Sequence, residues 1–381
     1  MAEKRKLFEE VSGPKAAPSR ASGLIDRPRG ARGAVRAWLM ALFALVVVMI
    51  AVGGLTRLTD SGLSITEWRP VTGALPPLSE ADWAAEFDKY RQTPQYDLLN
   101  RGMALAEFKA IYWWEWGHRQ LGRVIGLVWA VGFFGFLAAR RMPPGWTGRL
   151  LGLGALGGLQ GAIGWWMVSS GLAGRMVSVA SYRLAVHLGL AFVILGLIAW
   201  YVFQLRRSDA ALMQARRGAE RGLVRLTGVL LALAFVQIVL GALVAGIDAG
   251  RAFPTWPLMN GEFFPSNALY TPGAPAWTAV FENAGLVQFL HRMTGYLVLA
   301  VGLFVWARGR RSAHPVTRAA FGLMAVVLLG QVVLGIFTVL YAAPWQLGIA
   351  HQVTAVALWV AILRARHLAR WPVTTSIRGT A

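Results

Sequence analysis

The segment 39-LMALFALVVVMIAVGGL-55 carries no charged or amide side chain over 17 residues. At ~1.5 Å per residue, a helix of this length crosses most of the ~30 Å apolar core of a bilayer. Similar apolar runs occur at 124–139 and 184–203. Only 15% of the residues are charged, whereas about 25% is usual in a soluble domain. The chain is therefore predicted to be an all-α integral membrane protein.

Eight segments are predicted to span the membrane, near residues 37–56, 117–138, 149–168, 183–204, 224–246, 286–306, 319–341 and 346–364. The connecting segments alternate in charge, and one side holds 26 of the 38 Lys and Arg residues but only 6 of the 18 acids. Short loops rich in Lys and Arg remain in the cytoplasm. Both termini are therefore predicted to be cytoplasmic. Topology accounts for the net charge of +20, so we expect membrane lipid, and not nucleic acid, as a partner.

The two halves of the chain match each other at offsets that fall along the chain, which requires only shorter connections in the second half. The matched pairs are Asp60 with Asp248, His118-Arg119 with His291-Arg292, Gln160 with Gln331, Gly164 with Gly335 and His187 with His351. Each half has four spans, an even number, so both halves enter the membrane in the same sense. We predict two tandem four-helix bundles related by a pseudo-twofold axis along the membrane normal.

This duplication predicts the domain organisation. The expected units are a disordered cytoplasmic tail at 1–36, an N-terminal four-helix half at 37–205, a cytoplasmic linker at 206–223, a C-terminal four-helix half at 224–365 and a second cytoplasmic tail at 366–381.

Four of the six histidines fall in predicted spans, all toward the outer end of the span: His118, His187, His291 and His351. An ionisable group inside a membrane is costly and marks a functional site by default. Paired histidines on facing helices of a bundle are typical axial ligands of haem iron. The expected pairs are His118 with His187 and His291 with His351. The remaining two, His314 and His367, lie in basic segments and are expected on the solvated surface.

Other metal chemistry is restricted by composition. The chain has no Cys, which excludes disulfides, thiolate ligands, iron–sulfur clusters and covalent attachment of haem. Copper or zinc remains an alternative, although no third histidine is expected near either pair.

The two halves differ beside the first histidine of each pair. Glu115 stands three residues before His118, on the same helical face, whereas Gln288 holds the matching position before His291. A carboxylate there can relay protons or stabilise developing positive charge; the alternative is an interfacial Glu that pairs with a nearby Arg. Arg119 and Arg292 are candidate contacts for haem propionates, and the alternative is lipid phosphate.

Several motifs of this chain resemble the haem A synthase family. They are 53-GGLTRLTDSGLS-64, 115-EWGHR-119 with 121-LGR-123, 160-QGAIGWWMVSSGL-172, 253-FPTWPLMNG-261 and 289-FLHR-292. The similarity covers about residues 37 to 365, and the set is more specific than any single motif.

The resemblance implies an enzyme that oxidises the C8 methyl of haem O to the formyl group of haem A, for cytochrome c oxidase, by successive hydroxylations. It implies that His118 and His187 serve the substrate haem, that His291 and His351 hold a permanent haem b, and that Glu115 is catalytic. It further implies contact with haem O synthase and oxidase assembly factors, an unidentified electron donor and, as an option, a homo-oligomer. The expected location is a bacterial inner membrane, with the haem sites toward the periplasm. The alternative function is a quinone-linked di-haem b-type electron-transfer cytochrome.

Overall fold

The computed structural model describes residues 29–174 and 176–373, which form helices joined by loops, with no β-strand in these ranges. The α-helices are α1 (Arg29–Leu58), α2 (Glu80–Tyr90), α3 (Pro94–Leu99), α4 (Leu105–Ala138), α5 (Thr147–Val168), α6 (Ser181–Leu205), α7 (Asp209–Arg217), α8 (Arg221–Gly246), α9 (Ala249–Ala252), α10 (Ala279–Glu282), α11 (Ala284–Gly309), α12 (Pro315–Leu340) and α13 (Trp345–Arg370). Eight of them are long and apolar enough to span a membrane, namely α1, α4, α5, α6, α8, α11, α12 and α13. The predicted helical membrane fold and its number of spans are confirmed.

Each half of the chain places its four long helices in a ring of contacts. In the first half α1 packs against α4 and α6, and α5 lies between α4 and α6 on the far side. In the second half α8 packs against α11 and α13, and α12 lies between these two. The halves meet where α6 contacts α8 and where α1 contacts α13. The pseudo-twofold axis remains a prediction.

The contact of α6 with α8 depends on a small residue. A Cβ on Gly246 would lie 2.8 Å from the Cα of Ser181, so only glycine lets the two backbones approach this closely. At the same end of the molecule, the Arg57 guanidinium pairs with Asp60 at 2.8 Å and with Asp248 at 2.7 Å. These two aspartates are matched by the repeat, and both adopt a left-handed backbone conformation. A single arginine thus pairs with the repeat-matched aspartates of both halves.

Helix α4 begins at Leu105, well before the predicted span start at residue 117. The additional turns carry Phe108 and Tyr112, which are buried against Phe87 and Tyr90 of α2. Helix α2 itself begins at a capping box formed by Ser79 and Asp82. The segment between α1 and α4 therefore folds into a small helical subdomain with its own aromatic core, and packing against that core extends α4.

The predicted tail boundaries differ from those of the helices. Helix α1 begins at Arg29, so the last residues of the expected 1–36 tail are helical; residues 1–28 and 374–381 lie outside the described residues. The expectation of a solvated His367 is wrong. Its side chain is buried, and its ring packs against Trp200, Phe203 and Trp371. The basic local sequence did not predict this burial because two of the three aromatic partners, Trp200 and Phe203, lie on α6, far from His367 in the chain.

Candidate functional site

The first-half histidines lie on the second and fourth long helices of their half, His118 on α4 and His187 on α6. Each ring abuts a glycine on a neighbouring helix. A Cβ on Gly53 would lie 3.1 Å from His118 Nε2, and a Cβ on Gly164 would lie 2.9 Å from His187 Cε1. Glycines thus clear space around both rings, and the pairing of His118 with His187 stays a prediction.

The second half repeats this arrangement with His291 on α11 and His351 on α13. A Cβ on Gly241 would lie 3.1 Å from His291 Cε1, and a Cβ on Gly335 would lie 3.1 Å from His351 Cε1. Within residues 29–174 and 176–373, no three His, Asp or Glu side chains converge into a larger metal-binding cluster. The sites are therefore two pairs of imidazoles.

Three of the four histidines have a glutamine beside the ring. The amide Nε2 of Gln160 is 3.1 Å from His187 Nδ1, that of Gln237 is 3.1 Å from His291 Nδ1, and that of Gln331 is 3.3 Å from His351 Nδ1. The Oε1 atom of each glutamine is buried and has no hydrogen-bond partner among the described residues. Burial of an amide oxygen without a donor costs free energy, so each glutamine retains an unused acceptor next to an imidazole.

Glu115 is buried at 2% exposure and accepts four hydrogen bonds. Ser64 Oγ donates at 2.8 Å and the backbone N–H of Ile65 at 2.9 Å, both to Oε2. The Arg119 guanidinium donates to Oε1 from Nε at 3.1 Å and from Nη2 at 2.7 Å. The ion pair with a neighbouring arginine, foreseen as one alternative, is therefore present. It holds a charged carboxylate one helical turn from His118.

The two arginines that directly follow His118 and His291 donate hydrogen bonds to backbone carbonyls of neighbouring loops. Besides Glu115, Arg119 donates to the carbonyls of Ile65 at 2.8 Å and Glu67 at 2.9 Å. Arg292 donates to the carbonyl of Phe253 at 2.8 Å, and its buried Nε has no partner among the described residues. A guanidinium has five N–H donors, so each arginine keeps at least one for a further anion.

Gln288, the counterpart of Glu115, contrasts with it. It is buried at 3% exposure, but its single hydrogen bond in the described part of the chain is a long one, 3.5 Å from Nε2 to the carbonyl of Phe253. Its Oε1 is without a donor there. The carboxylate and its network of donors therefore belong to the first half.

Comparison with known proteins identifies the family of the chain. Residues 36–363 match the COX15-CtaA family, described as cytochrome oxidase assembly protein. The chain belongs to this family. Proteins named "Heme A synthase" from Cereibacter sphaeroides and Dinoroseobacter shibae are each 66% identical to it over 383 residues. The alignment covers 98% of both chains for the first, and 100% of this chain and 99% of the relative for the second. A protein of the same name from Paracoccus denitrificans is 61% identical, with 99% of each chain covered.

The donor set fits the haem chemistry that the family name suggests. Two neutral imidazoles on facing helices supply both axial ligands of a haem iron. An iron-bound imidazole carries a proton on its other nitrogen and usually donates it to a nearby acceptor. The acceptor could be the Oε1 atom of the neighbouring glutamine, namely Gln160, Gln237 or Gln331. Rotation of the glutamine amide by 180° would exchange Nε2 for Oε1 beside the ring. His118 and His187 would hold one haem, and His291 and His351 the other.

The glutamines are the functional residues that sequence reasoning missed. Gln160 and Gln331 were visible as a repeat-matched pair but carried no assigned role, and Gln237 was not singled out. A signal existed for Gln237, because it is an amide within the long apolar stretch of α8. A polar group in such a stretch requires a partner on a neighbouring helix.

Proposed function

We propose that this chain is a haem A synthase that oxidises the C8 methyl of haem O to a formyl group. The observation that carries the proposal is Glu115, a buried and charged carboxylate beside His118, in one of two otherwise similar imidazole pairs. The 61–66% identity to proteins named "Heme A synthase" supports it. A pure electron-transfer protein would need the two imidazole pairs but not this carboxylate.

In this proposal the halves have different roles. The substrate haem is bound by His118 and His187. A permanent haem b, which transfers electrons, is bound by His291 and His351. Glu115 stabilises positive charge that develops at the reacting carbon, or accepts a proton released there. Its four hydrogen-bond donors hold the carboxylate in a fixed orientation. Arg119 connects Glu115 to the loop at residues 65–67, and Arg119 and Arg292 use their remaining N–H groups for haem propionates.

The proposed setting is the inner membrane of a bacterium, with both termini in the cytoplasm and the histidines toward the periplasmic side. The excess of Lys and Arg in the short loops on the terminal side supports this orientation. Haem O would reach the site from haem O synthase, and the product would pass to oxidase assembly factors. An electron donor that the sequence does not identify would complete the cycle, and association into a homo-oligomer remains part of the proposal.

The test is conversion of haem O to haem A by the purified full-length protein, supplied with a reductant and oxygen and followed by haem extraction and chromatography. We expect haem A to accumulate while haem b stays constant. Retention of both haems without any conversion, across donors of different potential, would favour a di-haem electron-transfer cytochrome instead.

A further inference from the structure

His118 differs from the other three site histidines in its hydrogen bonding. His187, His291 and His351 each have a glutamine amide within 3.3 Å of the ring. His118 makes no side-chain hydrogen bond to any residue in the described ranges. The residue that stands in place of a glutamine is Met49 of α1.

The position of Met49 follows from the repeat and from its contacts. Met49 precedes Gln237 by 188 residues, the offset that also separates Gly53 from Gly241. Met49 Cε lies 3.5 Å from the point that a Cβ on Gly122 would occupy, four residues after His118.

The glutamine of the second half occupies the corresponding point. Gln237 Nε2 lies 3.3 Å from the position of a Cβ on Gly295, four residues after His291. Met49 and Gln237 thus approach equivalent turns of the two histidine-bearing helices.

The two side chains affect an imidazole in different ways. An amide oxygen that accepts the Nδ1 proton fixes the orientation of the ring and increases its electron donation to a metal. A thioether is only a weak acceptor. With Met49 at the position that Gln237 holds in the second half, His118 lacks the glutamine that the other three histidines have beside the ring. Its bond to a haem iron would therefore be the weaker of the two in the first half.

We propose that Met49 makes His118 a labile axial ligand, so that the first-half haem can exchange, whereas Gln237 fixes the haem of the second half. The difference suits a site that must take up a haem and release it. This inference rests on the proposed function, because it assigns the substrate to the first half.

The experiment uses reciprocal variants of the full-length protein, Met49→Gln and Gln237→Met, loaded with haem O and haem b. Excess apomyoglobin serves as the acceptor, and the transfer of each haem is followed by absorption and by extraction. Loss of the hydrogen-bond partner of a metal-binding histidine typically lowers metal affinity about tenfold or more. We therefore expect Met49→Gln to slow transfer of haem O about tenfold, and Gln237→Met to accelerate transfer of haem b by a similar factor.

Met49→Leu is the matched control, because it conserves volume without supplying an acceptor. Slowing by Met49→Leu equal to that by Met49→Gln would assign the effect to packing and overturn the proposal, as would unchanged transfer rates in both reciprocal variants. If Met49→Gln fails to fold, Gln237→Met decides alone, since haem b retained as in the unmodified protein contradicts the proposal. Conversion of haem O is scored separately in the unmodified protein. If haem O is not converted but the exchange rates are as expected, the proposed haem A synthase function is refuted and the proposal about His118 is retained.

Discussion

Replacement of Glu115 by Gln tests the chemistry with little change of shape. The side chain keeps its volume but loses its charge, and one of its two acceptor oxygens becomes a donor. Of the four hydrogen bonds now made, those from Ser64 and Ile65 converge on one oxygen and those from Arg119 on the other. An amide can satisfy only one of these two groups, so at least two buried donors lose an acceptor.

The structural cost can be bounded. Removal of one partner of a fully buried ion pair costs about 3–5 kcal/mol. Arg119 keeps 18% of its side chain exposed and two carbonyl acceptors, so we expect about 2 kcal/mol, the middle of the range for a donor left unsatisfied. That loss leaves the helix bundle folded. Removal of a catalytic acid–base group, in contrast, lowers a rate by about 10²–10⁴-fold.

Ser64→Ala separates these two effects. It removes one donor to the carboxylate, at a cost of about 1.5–3 kcal/mol for a hydrogen bond to a charged group, but leaves the charge in place. Thermal unfolding should therefore shift by similar amounts in Glu115→Gln and Ser64→Ala. Haem A formation, measured by extraction after incubation with haem O, should fall at least about 100-fold only in Glu115→Gln. Both variants should retain haem b.

Two results would refute the reasoning. If Glu115→Gln forms haem A at nearly the rate of the unmodified protein, the carboxylate has no role in the reaction. If Ser64→Ala reduces haem A formation as severely as Glu115→Gln, Glu115 only stabilises the loop that contains Ser64 and Ile65 and takes no part in the reaction.

Other predictions address the sites and the topology. His291→Ala should lose haem b and His118→Ala should retain it, as measured by haem extraction; the reverse pattern would exchange the roles of the two halves. Gly164→Val should reduce haem O binding in spectral titrations while haem b is unaffected, because its Cβ would lie 2.9 Å from the His187 ring, and normal binding would remove this glycine from the site. Since the chain has no Cys, exposed single cysteines can report topology: an impermeant maleimide should label Ala81→Cys in cells with a permeabilised outer membrane, and Met213→Cys only after lysis. Labelling of Met213→Cys before lysis would invert the proposed orientation.

The parts of the structure that the sequence predicts are those governed by local physics. Eight apolar runs are enough to count the spans, and Ser79 with Asp82 marks the start of α2 because a capping box needs only neighbouring residues. The histidine pairs follow from the repeat and from the cost of placing an imidazole in lipid. The early start of α4 could not be predicted, since its first turns are stabilised by the aromatic residues of α2. The burial of His367 likewise depends on Trp200, which is distant in the chain.

The two differences between the halves converge on one histidine. Glu115 lies on the same helix as His118, one turn away, and Met49 of α1 lies beside Gly122, four residues after His118, where the second half has Gln237. Glu115, in place of a glutamine, places a carboxylate one turn from His118. Met49, in place of a glutamine, offers the ring no amide as a hydrogen-bond partner. Neither difference affects His187, whose glutamine and glycine neighbours match those of His351. If the halves arose by duplication, the chemistry of the first half therefore required changes around a single axial ligand, and the second ligand could keep the original arrangement.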